Sequence, residues 1–132
     1  MSALVQGTQL RESIYGLTLV SPAQAAPTSS TPLWAVSGGP IRITGVVVVV
    51  TTVFTATATT LNIGTVAGAV TLLSAGTLTS LAVGSVLVGI PTPAVPVVAS
   101  VGNITWIASA GNTGQAQVYL SYIPVIAGAL AQ

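Results

Sequence analysis

The sequence predicts an all-β protein: a single β-sandwich or jelly-roll-like domain of about eight short strands behind an extended N-terminal arm. Three observations carry this. Val, Ile and Thr dominate the apolar stretches, where a helix would favour Ala, Leu, Glu and Lys. Turn signals built from Gly, Pro and Asn separate those stretches along the chain. Several segments also alternate between polar and apolar residues, the period of a half-buried strand.

Residues 1–30 read as an arm and linker with no sustained helical period. Within it Ser13–Val20 alternates as one strand would, and the stretch from Pro22 to Pro32 is held extended by its prolines. The sandwich is expected over residues 31–125. Thr31–Ser37 is a strand containing Trp34, stopped by Gly38-Gly39-Pro40, which reads as a hairpin turn. Ile41–Val53 follows, and its Val46–Val50 run has the look of a strand buried on both faces. The same run is uncharged, proline-free and β-prone, the signature of cross-β assembly, but the surrounding turns favour a shielded central strand.

Phe54–Leu61 alternates in part and reads as a strand ending at a bend over Asn62-Ile63-Gly64. Val66–Val88 is broken by Gly68, Gly76 and Gly84 into short strands. Ile90–Pro96 is a proline-rich loop or edge segment. Asn103–Ser109 is a strand with Trp106 at its centre. Gly111-Asn112-Thr113-Gly114 turns into the strand Gln115–Ile123, where Gln115, Gln117, Tyr119 and Ser121 oppose Ala116, Val118, Leu120 and Tyr122. Residues 126–132 form a short Ala/Gly-rich tail.

The charge inventory narrows function more than any motif does. Arg11, Glu12 and Arg42 are the only charged side chains, 2% of the chain, and the net charge is +1. Beyond Arg42 the ionisable side chains are Tyr119 and Tyr122 alone. Acid–base catalysis needs a titratable group near working pH, and zinc or haem needs His, Cys or carboxylate ligands. The expectation is therefore a protein that is not an enzyme and takes no cofactor or metal. Two arginines are too few for phosphate binding, so nucleic acid is not an expected partner. No membrane partner is expected either: Leu81–Val101 is uncharged and long enough to span, but Pro91, Pro93 and Pro96 interrupt it. Ile14–Val20 before Ala23-Gln24-Ala25-Ala26 only faintly imitates a signal peptide.

With 52% hydrophobic residues and so little charge, the surface lacks the repulsion that keeps a free monomer dispersed. Such a chain is expected to be covered by neighbours. Candidate interface residues are the charges Arg11, Glu12 and Arg42, together with Trp34, Trp106 and Tyr119, since aromatic residues and Arg are enriched at interfaces. For Trp34 and Trp106 the competing expectation is burial in the core, and for Arg42 a solvated surface position. No small-molecule substrate is expected.

The string from Pro32 to Gly45, Pro-Leu-Trp-Ala-Val-Ser-Gly-Gly-Pro-Ile-Arg-Ile-Thr-Gly, leads through the valine run to Ala56-Thr57-Ala58-Thr59-Thr60. A second stretch runs from Ser109-Ala110-Gly111-Asn112-Thr113-Gly114 to Tyr122-Ile123-Pro124-Val125. Together they resemble small structural proteins of tailed bacteriophages, similar to capsid decoration or cement proteins. The resemblance covers roughly residues 31–125. It implies a virion protein on the capsid surface, a homotrimer bound to the major capsid protein, with an arm reaching neighbouring subunits. Sequences of this look often carry a basic residue in the last strand, whereas Gln115–Ile123 has none. The alternative is a tail, neck or head-fibre component that binds the host surface, and a third is a β-module that binds carbohydrate through Trp34 or Trp106.

Overall fold

The computed structural model describes residues 16–65, 71–89 and 98–132. Every element in them is a strand: β1 (Leu17–Val20), β2 (Gln24–Ala25), β3 (Thr31–Ser37), β4 (Ile41–Thr52), β5 (Thr60–Thr65) and β6 (Thr71–Thr77), then β7 (Val86–Val88), β8 (Val98–Ala99), β9 (Gly102–Ala108), β10 (Gln115–Pro124) and β11 (Leu130–Ala131). One sheet runs β1-β10-β4-β7, with β2 beside β10 and β8 beside β4; the other runs β11-β3-β9-β5-β6. All pairs are antiparallel, and they nest in sequence: β1 with β10, β3 with β9, β4 with β7 and β5 with β6. That nesting is the wrapping order of a jelly roll. Eight strands make these four pairs, while β2, β8 and β11 are short additions.

The longest strand shows how sequence sets register. In β4, Ile41 and Ile43 point into the sandwich, and so do Val46, Val48 and Val50. Strict alternation cannot bury both sets, since two residues, Thr44 and Gly45, lie between Ile43 and Val46 and put them out of phase. A register shift opposite Ser121/Tyr122 absorbs one residue at Thr44–Gly45 and restores the phase. Against β4, β10 alternates as expected, with Ala116, Val118, Leu120 and Tyr122 buried. The inner faces of both sheets meet in one core, to which the second sheet contributes Trp34, Val36, Leu61, Ile63, Ile104 and Trp106.

Several expectations are corrected. The arm boundary at residue 30 falls too late. β1 pairs with β10 from Leu17↔Tyr122 to Val20↔Tyr119, and β2 continues along the same strand. At the break between them, buried Ser21 donates its N–H to the Val118 carbonyl at 2.9 Å. Its Oγ accepts the Val118 N–H, also at 2.9 Å. The hydroxyl thus stands in for a ladder carbonyl where Pro22 prevents the chain from continuing as a regular strand. The tail is likewise tied in: β11 pairs with β3, and the buried Tyr122 hydroxyl accepts the Ala131 N–H at 3.2 Å.

The segment Phe54–Thr59 is a loop rather than a strand. Asn112 pins it, its Oδ1 accepting from Thr55 N–H at 2.8 Å and from Gly114 N–H at 3.2 Å. Phe54 itself is buried, and Gly114 lies so close to its ring that a Cβ there would overlap it. Asn62-Ile63-Gly64 lies within β5 and is no bend. Gly38-Gly39-Pro40 joins β3 of one sheet to β4 of the other, so it is a crossover corner rather than a hairpin turn. The expectations for residues 66–70 and 90–97, including Gly68 and the Ile90–Pro96 segment, lie outside the described residues.

Candidate functional site

The outer faces of the two sheets differ in chemistry. On the second sheet, Asn62, Thr71, Ser74 and Thr105 border a shallow open concavity of about 240 Å³. Two of its polar groups are engaged within the fold: Asn62 Oδ1 accepts from Ala75 N–H at 2.8 Å, and Thr105 Oγ1 donates to the Gly64 carbonyl at 3.4 Å. An antiparallel sheet with one solvated face normally looks like this, apolar inside and polar outside.

The first sheet breaks that rule. Directly paired residues share a face, so the registers Val20↔Tyr119, Tyr119↔Val47 and Val47↔Val88 set four outward side chains in one row across β1, β10, β4 and β7. The adjacent row is Gln117, Val49 and Val86. Val20 is 48% exposed, Val86 53% and Val88 66%, while Tyr119, Val47 and Val49 are half-buried between them. The next row is polar, with Thr18 and Ser121 hydroxyls 3.3 Å apart. With strands about 4.8 Å apart, the apolar row extends roughly 14 Å.

No protein-family model, curated protein or solved structure matches this chain.

The expected interface residues are scattered by the fold. Tyr119 lies at the centre of the apolar row, and Arg42 is exposed on the same face, one strand from Ile123. Trp106 is 1% exposed and Trp34 is buried beside Ile104, so neither presents a surface to a partner or a sugar. Both belong to the core because their strands turn them inward. The carbohydrate reading loses its platform with them. Arg11 and Glu12 lie outside the described residues. The sequence reading missed Val20, Val47, Val86 and Val88. For Val47 the signal was the unbroken Val46–Val50 run, since burial on one face alone would have allowed polar residues at 47 and 49; Val20, Val86 and Val88 carry no such signal.

Among the described residues no group of His, Cys, Asp and Glu could hold a metal ion. No described helix is long and apolar enough to cross a membrane.

Proposed function

We propose that this protein is a non-enzymatic structural component of a bacteriophage virion, located on the capsid surface. It decorates and stabilises the shell by homo-oligomeric binding to the major capsid protein. The observation that carries the reading is the near-absence of charge across the whole chain, where Arg11, Glu12 and Arg42 are the only charged side chains. A surface so neutral suits a protein held permanently against neighbours and supplies little for chemistry. The resemblance of residues 31–125 to decoration proteins points the same way. The jelly-roll wrapping adds support by analogy only, since that architecture serves viral capsids and lectins alike.

A sandwich with Leu17–Val20 and Leu130–Ala131 tied into its sheets is a suitable clamp. Its contacts with a shell would be apolar burial and hydrogen bonds from Thr, Ser, Asn and Gln. The test is the copy number of the protein in purified particles of the phage that encodes it, by quantitative mass spectrometry. Many copies spread over the shell are expected. A few copies at one vertex would favour the tail, neck or head-fibre alternative, and absence from the particle would overturn the reading.

A further inference from the structure

We infer that the outer face of the β1-β10-β4-β7 sheet is a self-association surface, on which a second copy of this chain docks face to face about a two-fold axis running along the row Val20–Tyr119–Val47–Val88. The inference rests on the homo-oligomer part of the reading above and is independent of the capsid.

Three observations argue for a second copy. The first is the sequence itself: a Val46–Val50 run suits a strand covered on both faces, yet the fold covers only Val46, Val48 and Val50. A second layer on Val47 and Val49 would complete that pattern. The second is charge. The two apolar rows carry none, so they offer nothing to a charged partner, and an identical neutral face meets them without repulsion.

The third is the position of Arg42, the one described charge on this face. Across the bulge it lies four register positions from Val47, the separation of Ile123 from Tyr119 on β10, about 14 Å at strand rise. A two-fold axis along the row reverses the strands, setting the two Arg42 positions roughly 28 Å apart, well beyond a Debye length of about 8–10 Å. An axis parallel to the strands would instead stack them about 10 Å apart, the spacing of packed sheets. Charge therefore favours the reversed arrangement, though weakly between exposed groups.

Area sets the strength. The exposed parts of Val20, Val86 and Val88 with the half-buried side chains between them amount to about 300–400 Å² of apolar surface, the size of the largest patch on an ordinary monomer, which is often functional. Two such patches bury less than the roughly 1,200 Å² of a stable standard interface. The pair is accordingly weak, with a dissociation constant between about 10 µM and 1 mM. It is two-fold, which departs from the homotrimer implied by the resemblance.

The axis makes each residue of the row face itself in the partner, and this supplies the experiment. Val88 is largely exposed on the edge strand β7, where a charge is tolerated by the fold. Sedimentation velocity on the full chain, from about 10 µM to about 1 mM, should show the wild type associating. Val88→Lys and Val88→Glu should each weaken association at least about tenfold, and an equimolar mixture of the two should restore it. Ser74→Lys, on the outer face of the other sheet, should associate like the wild type. Circular dichroism checks that each variant is folded. Should one not fold, a single Val88→Cys variant, in a chain with no native cysteine, should cross-link through a bismaleimide of about 10 Å, the face-to-face spacing, where Ser74→Cys should not. If the wild type associates and Val88→Lys associates equally, the face is wrong and the homo-oligomer reading survives. A mixture that fails to associate overturns the two-fold axis. A wild type that stays monomeric overturns both, and the same monomer losing particle attachment with Val88→Lys would place a capsid protein on this face instead.

Discussion

Ser21→Ala asks whether the segment before Thr31 belongs to the folded domain. Ser21 and Val118 are both buried, and the Val118 N–H reaches Ser21 Oγ at 2.9 Å. Removing the hydroxyl leaves that N–H facing a methyl group in a place closed to water. An orphaned buried donor costs about 1–3 kcal/mol, whereas the loss of one exposed hydrogen bond costs far less. For a domain of this size that corresponds to a fall in Tm of about 3–12 °C, at roughly 3–4 °C per kcal/mol. The assay is thermal and urea unfolding followed by circular dichroism, with Thr31→Val as the control. Thr31 Oγ1 donates to the Ser29 carbonyl at an exposed site, so its loss should stay within about 0.5 kcal/mol. If Ser21→Ala matched that control, the β1–β2 segment would be a loosely attached arm and its place in the sheet would be wrong.

Three further substitutions probe the rest of the structure. Trp106→Ala should destabilise by about 3–5 kcal/mol, because the ring is fully enclosed between the sheets; a small change in a urea melt would show that the tryptophan is not core. Gly38→Ala should cost at least about 1–2 kcal/mol, since φ is +73° and a Cβ would press on the Gly128 carbonyl. The same melt checks it, and an unchanged midpoint would contradict the corner geometry. Arg42→Gln should leave stability within about 0.5 kcal/mol, as expected for an exposed side chain; a larger loss would reveal a buried partner for the guanidinium.

Where strands end in clear stop signals, the sequence was readable almost to the residue. Thr31–Ser37 coincides with β3, Gln115–Ile123 differs from β10 only by Pro124, and the inward and outward sets of β10 follow from alternation alone. Local signals misled where a distant side chain decided the outcome. Phe54–Thr59 has the alternation of a strand, but Asn112, far away in sequence, captures its backbone. Asn62 looks like a bend residue, yet its side chain serves as an acceptor for Ala75 N–H while its backbone stays in β5. The candidate site was half legible. Tyr119 and the valine run were visible, but Val20, Val86 and Val88 join them only through register across four strands, which one-dimensional periodicity does not carry.

The most direct test of the account is occupancy of the protein on purified particles across a salt series from about 0.1 M to about 1 M, over which the Debye length falls from about 10 Å to about 3 Å. Contacts made without charge are screened little. Unchanged occupancy throughout is the predicted result. Release of the protein by high salt alone would contradict it, because attachment would then depend on ion pairs that a chain with Arg11, Glu12 and Arg42 as its only charges can scarcely form.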